Sequence, residues 1–423
     1  MPQEIKLEDL DFGGIVRPGD QIVWGQGAGE PATLVERLLE QRHAIGHASV
    51  FCAGVRSRRT LKPEHTDTLS FTSFGAMGNL QALARAGMLR VLPTHLSQVN
   101  GYFKRGNIRA DVVLVQLSVS DENGVHSFGT ANDFQQAAIA RARVVIAEVN
   151  DQLPWTYCDG TIDPARIDYM VRTSRRPAQV EPQPVGAIEQ TIAEYVARYI
   201  EDGATLQIGV GGIPDAVMAL IGDRRDLGFH SGLINDRVAD LMEQGVVTNA
   251  RKPIDTGITV AALLVGTDRL YRFAHKNRRI RLFTYDHTHR AEVLCRLDRF
   301  VAINSAIEVD LTGQINAEVA NGEYIGGTGG QGDFVRGAQL AARGHSIIAL
   351  PATARDAKIS RIVGQLADGV VTTPRSDADI IVTEFGAAEL RGRTIAERAR
   401  RLATISHPNF RPMLEAEAAK LAR

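Results

Sequence analysis

Apolar residues are distributed along this chain in two rhythms. In the first they follow one another almost without interruption, at Val112–Val119, Val144–Val149, Arg299–Asn304, Ser346–Leu350 and Asp379–Thr383. Such runs predict strands covered on both faces. In the second they recur at helical spacing. Leu34, Val35, Leu38 and Leu39 share one side of a helix expected from Pro31 to Arg42. Pro31 suits the first turn of that helix, where a missing N–H costs nothing. Just upstream, Asp20–Trp24 reads as a short strand entering a glycine turn. Strands alternating with helices predict an α/β fold with mainly parallel sheets.

The same plan occurs twice. Gly19, Gly25 and Gly27 align with Gly203, Gly209 and Gly211 at an offset of 184, and Pro31 with Pro214 after a one-residue insertion. Asp111–Gly124 aligns with Phe300–Gly313 at an offset of 189. Two similar offsets in the same order predict a tandem pair of related open α/β domains, at 1–180 and 185–423. Between them Ser174–Pro184 carries three prolines in eleven residues and reads as an extended linker.

Each half therefore holds a strand, a glycine-rich turn and a helix N-terminus. That combination offers free backbone N–H groups and a favourable dipole to an anion. The turn Gly209-Val210-Gly211-Gly212-Ile213 is neither a dinucleotide fingerprint nor a Walker loop. Pro214 stands where a third glycine should fall, and no Gly-Lys-Ser/Thr follows. A further cluster, Gly326-Gly-Thr-Gly-Gly-Gln-Gly332, allows the backbone close to another strand or to a ligand, with Gln331 and Asp333 as oriented polar groups. The alternative is a mobile surface loop. Ser73–Gly78 is small and apolar and could line an acyl pocket, or simply pack glycines within a loop.

Composition narrows the function. In 423 residues the charged fraction is 23% and the net charge −1, so no basic field invites nucleic acid or an anionic membrane. No apolar run approaches a membrane span and no secretory signal is visible, so a cytoplasmic protein is expected. Cys52, Cys158 and Cys295 lie too far apart for a disulfide framework or zinc site and are expected to be reduced. His287-Thr-His289 has metal-like spacing without a third ligand nearby, so no metal is expected. Lys276, Arg278, Arg279 and Arg281 could meet phosphates or form a solvated helix end. Arg391, Arg393, Arg398, Arg400 and Arg401 read as an exposed basic face.

Several stretches carry a family resemblance: Ile208–Val217, Ile303–Glu318, Tyr324–Phe334, Val382–Gly392 and Ile405–Arg411. The chain resembles the coenzyme A transferases that form a glutamyl intermediate, in the branch of acetyl-CoA hydrolases and 4-hydroxybutyrate CoA-transferases. The resemblance implies two facing α/β domains with acyl-CoA between them, homodimers or homotetramers, and coenzyme A as substrate with no permanently bound cofactor. It implies small carboxylates as partners. It places Gly209, Val210, Gly211, Gly212, Ile213, Glu308, Gly329, Gly330 and Asp333 at the CoA. The family's chemistry is covalent: a glutamate attacks the thioester, and the acyl group and then CoA pass over that carboxylate.

That glutamate is expected in a His-Ser/Thr-Glu stretch some two dozen residues after the glycine turn. Here the stretch reads His230-Ser231-Gly232. Several explanations stay open. Another carboxylate could serve, Glu308 first and Glu30 second. The acyl group could pass directly to water or a carboxylate, with His230 as general base. The protein could bind CoA with little chemistry, or position 232 could be an alteration. The leading expectation is CoA transfer between short carboxylic acids of the acetate, butyrate, 4-hydroxybutyrate, succinate or itaconate type. An acyl-CoA hydrolase and a CoA-binding protein are the alternatives.

Overall fold

A computed structural model describes residues 2–54, 61–367 and 369–421. The long apolar runs form two parallel sheets. The first holds, in spatial order, Gln3–Glu4, Tyr169–Thr173, Val144–Asn150, Val112–Ser118, Gln21–Trp24, Ala48–Phe51, Leu69–Ser73 and Leu89–Val91. Every pairing in it is parallel. The second runs Gly228–Phe229, Thr205–Ile208, Phe300–Asn304, His345–Ala349, Ile380–Thr383 and Gly386–Glu389, with only its last pair antiparallel. Val112–Ser118 is buried along its whole length, as an uninterrupted apolar strand covered on both faces should be.

The expected repeat survives at the level of single residues. Ile22 pairs with Val112 in the first sheet. The residues aligned with them, Leu206 and Val301, pair with each other in the second. The strand before each glycine turn is therefore held by the same neighbour in the same register. The helix expected at Pro31 forms at Ala32–Glu40 with Pro31 as its N-cap, and Leu34, Val35, Leu38 and Leu39 are its buried face. In the second half Gly212–Leu220 takes that place.

The segment 174–186 has no regular structure, but it does not hang free. Arg175 reaches back to Glu148 and Gln116, and Val180 and Ala178 bond to Gly266 and to the Tyr271 hydroxyl. The halves also interleave beyond it. Tyr157–Cys158 joins Ile280–Leu282 and Thr259–Ala261 in one small sheet. Tyr285, from the second half, sits in the first half's apolar core and tilts against Phe134, its ring centroid 6.4 Å away. No described helix is long and apolar enough to cross a membrane.

One surface expectation needs correcting. Arg398 is buried, not exposed. Its guanidinium donates to the carbonyls of Arg393, Thr312 and Arg375, because it caps loops beneath its own helix, Ile395–Thr404. Arg391 precedes that helix and is paired with buried Asp379. In the cluster near residue 280, Arg281 donates to the Cys158 carbonyl and lies over Phe283, while Arg279 donates to Met242 and Val247. These side chains brace backbone. The three cysteines are unpaired.

Candidate active site between the two halves

The second glycine turn leaves the strand Thr205–Ile208 and opens the helix Gly212–Leu220. Gly211 adopts φ +129°, a conformation that side chains resist, so glycine is required there. Val210 at the tip is half exposed. Asp215, in the helix's first turn, accepts from Asn235 and from the Gln183 backbone, which fixes the linker against the turn. Ser231 ties the next loop to the same strand: its hydroxyl donates to the Ile208 carbonyl at 3.2 Å. The His230-Ser231-Gly232 stretch is thus held beside the glycine turn by backbone and hydroxyl bonds.

His230 is fully buried. Its Nε2 lies 3.2 Å from the His287 carbonyl, and its Nδ1 lies 4.0 Å from Asp255. Burial holds its imidazole well below the usual histidine range. His287 Nε2 bonds Asp255 at 2.8 Å. The ligand atoms of His230, Asp255 and His287 come within 4.8 Å of one another, a donor set that could in principle hold a cation. Lys252 already places an amine beside Asp255, where it donates to the carbonyls of Phe229 and Ile258; burial lowers its pKa to about 7. The group reads as a buried polar network under the loop. His230 as general base has no support from this placement.

His289 parts company with His287. It follows the short helix Tyr285–Thr288, is 1% exposed, and packs edge-on to Tyr285 and 4.6 Å from the Phe334 ring. A Cβ built on Gly232 would stand 3.0 Å from its Nε2, and one on Gly330 would stand 2.6 Å from it. Two backbone positions without side chains therefore flank this nitrogen. Gly232 is not in a left-handed conformation, so the imidazole, and not the backbone, is what opposes a side chain there. Burial pushes His289 down to about 3, leaving it neutral.

The cluster at Gly326–Gly332 is a packed seam, not a mobile surface loop. The Gly326 carbonyl accepts from Ala76, and the Gly329 carbonyl accepts from Leu96. A Cβ on Gly327 would collide with the Phe74 carbonyl. Asp333 does not face an open pocket: its carboxylate accepts from the Ser97 hydroxyl at 2.6 Å and from the Ser97 amide, across the two halves. Gln331 donates to Thr373. The glycines are needed for strand-to-loop contact between domains, one of the two uses expected of them. Gly327→Ala should accordingly destabilise the fold by about 1–3 kcal/mol, read as a lowered midpoint in chemical denaturation; an unchanged midpoint would mean the seam is loose.

The two carboxylates expected as substitutes are placed differently. Glu308 begins the strand Glu308–Asp310, is half-buried, and accepts from Asn316 at 3.1 Å. The atoms packed nearest Gly232 belong to His289 and Phe334, not to Glu308. Glu30 is buried in the first glycine turn, one of its oxygens lacks a partner, and burial raises its pKa to about 8. Its folded value thus lies above the unfolded one near 4.5. Stability from this group is complete below pH 4.5 and is lost as pH rises through about 8. Glu30→Gln should be more stable than the parent at pH 9 by about 4–5 kcal/mol, with the gap closing toward pH 4.5; a gap independent of pH would refute the buried neutral acid. A cavity of about 370 Å³ near Trp155 and Tyr271 shares no residue with this site.

Comparison with known proteins assigns the class, enzymes that act on CoA thioesters. Residues 8–182 match the acetyl-CoA hydrolase/transferase N-terminal domain and residues 266–418 the C-terminal domain. The chain is 37% identical to a 4-hydroxybutyrate coenzyme A transferase of Clostridium kluyveri, over 93% of this chain and 92% of that one. It superposes on RipA from Yersinia pestis with TM-score 0.94 at 31% identity, covering 99% and 98%. A 4-hydroxybutyrate CoA-transferase from Porphyromonas gingivalis gives TM-score 0.84 at 30% identity, covering 99% and 97%. The protein belongs to the acetyl-CoA hydrolase/transferase family.

Sequence reasoning missed His289. The signal was present in His287-Thr-His289, but one-residue spacing after a short helix sends the two rings to different surroundings.

Proposed function

We propose that this protein is an acyl-CoA:carboxylate CoA-transferase for short-chain acids of the acetate, butyrate, 4-hydroxybutyrate, succinate or itaconate type. It works as a homo-oligomer in the cytoplasm, with domains dividing near 180–185. The observation that carries the reading is the seam itself. The Gly326–Gly332 loop of the second half bonds to Ala76 and Leu96 of the first, and Gly330 and Gly232 lie against the same His289 ring, which brings the His230–Gly232 stretch to this seam. The match to CoA-transferases over nearly the whole chain supports it. In this reading the turn Gly209–Ile213 meets CoA through its backbone, and Glu308, Gly329 and Gly330 line the approach.

Hydrolysis is the second reading. It is favoured by the absence of a carboxylate at Gly232, since no CoA adduct would then wait for an acid. The test is turnover on a panel of short acyl-CoAs with and without carboxylate acceptors. Acceptor-dependent exchange supports the transferase. Thiol release that ignores the acceptor supports hydrolysis. Thermal stabilisation by CoA without turnover would leave only binding.

A further inference from the structure

In the polar network under the His230–Gly232 loop, the two ring nitrogens of His230 have different surroundings. Nε2 faces the His287 carbonyl at 3.2 Å. A carbonyl only accepts, so Nε2 carries the ring proton and Nδ1 is the bare nitrogen. That Nδ1 is buried, and among the described residues it has no hydrogen-bond partner. It lies 4.0 Å from Asp255 Oδ2. The same carboxylate oxygen lies 2.8 Å from His287 Nε2. All three ligand atoms sit within 4.8 Å of one another. Around a divalent ion held at about 2.0–2.1 Å, neighbouring ligand atoms stand about 3.3 Å apart. Small side-chain shifts therefore bring the three into one coordination sphere.

Both rings are held by groups outside the cluster. The bond from Nε2 to a backbone carbonyl orients His230, the usual outer support of a metal-binding imidazole. Phe283 stacks on His287 with ring centroids 4.2 Å apart. The neighbouring amine of Lys252 is directed at the carbonyls of Phe229 and Ile258. Solvent reaches the group from one side, since the side chains of Asp255 and His287 are 18% and 28% exposed. We infer that His230 Nδ1, Asp255 and His287 Nε2 form a binding site for a divalent transition-metal ion of the zinc type. The pair suggested by the sequence, His287 and His289, is not the pair that forms it. Two imidazoles and one carboxylate suit such an ion, whereas Mg²⁺ and Ca²⁺ take oxygen ligands. The ion replaces the proton shared by His287 and Asp255, and water completes its coordination. It ties the turn at Asp255 and the helix Tyr285–Thr288 to the stretch His230-Ser231-Gly232. His289 follows that helix and lies against Gly232. The metal is thus a staple beneath the seam and takes no part in chemistry at a thioester, so the inference holds whether the protein transfers or hydrolyses.

The experiment uses the full chain, treated with a chelator and dialysed. Titration with Zn²⁺ should show one ion per chain and raise the melting temperature. Co²⁺ should give the strong visible band of a four-coordinate site, which Zn²⁺ abolishes and excess Mg²⁺ leaves alone. His287→Ala and Asp255→Asn should each weaken Zn²⁺ binding at least about 100-fold. His43→Ala removes an exposed histidine that lies 3.6 Å from Asp67, and it should change nothing. A parent chain that binds no Zn²⁺, or that gives only the weak band of six-coordinate Co²⁺, overturns the inference without recourse to any variant. Binding that survives in folded His287→Ala, or that disappears with His43→Ala, overturns it as well, because the ion then sits on surface histidines.

Discussion

Gly232→Glu, which installs the side chain that the resemblance leads one to expect, should destabilise this protein. A Cβ at 232 would stand 3.0 Å from His289 Nε2 and 3.1 Å from Cε1, with Phe334 next at 3.6 Å. His289 has little room to yield. Its ring is held by Thr288 on one side and packed by Tyr285 and Phe334 on others. The expected cost is about 1–3 kcal/mol of stability from overpacking. The double variant Gly232→Glu/His289→Ala should behave differently. Removing the ring frees the volume, the carboxylate can reach the site, and a CoA-sized adduct should appear in the protein mass. A single Gly232→Glu variant that turns over faster than the parent at unchanged stability would show that the two positions are not coupled.

The second large effect lies in the core. Phe134→Ala should destabilise the protein by about 3–5 kcal/mol. Phe134 is fully buried, stacks on Phe103 at 5.7 Å, and meets Phe51 edge-on at 5.6 Å. It also touches Tyr285, whose hydroxyl is bonded by Gln26. Gln26 in turn bonds Asp133, a buried carboxyl that desolvation pushes above its ordinary range. The cavity left by alanine would therefore loosen the one aromatic side chain that carries the helix before His289 into the first half. Denaturation should show the loss of stability. A variant as stable as the parent would mean that the aromatic cluster can collapse around the gap.

Much of the fold is legible in the amino-acid sequence. Unbroken apolar runs became two-sided strands, and the glycine offsets, which predicted a repeated plan, are matched by equivalent pairings of Ile22 with Val112 and of Leu206 with Val301. Both signals are local in sequence and are imposed by backbone geometry. The site was less legible, because its key relation joins residues 57 positions apart, Gly232 and His289, through the absence of a side chain. A glycine states what is missing and not what fills the space. Arg398 misled for a related reason: a long cationic side chain on a helix looks solvated until carbonyls are found beneath it. Asp333 was expected at the CoA, and its bond to Ser97 could not be read from the sequence because Ser97 lies in the other half.

The interleaving of the halves sets how this enzyme can be taken apart. The strand Tyr157–Cys158 belongs to the first half by sequence and to a sheet of the second by hydrogen bonding, while Tyr285 lies in the opposite core. Each piece therefore exports part of its own interior to the other. A chain severed within 174–186 keeps all of those contacts, so the fragments should remain together as a working pair, whereas neither made alone carries a complete interior. The two halves share one pairing register, yet each completes the other's interior.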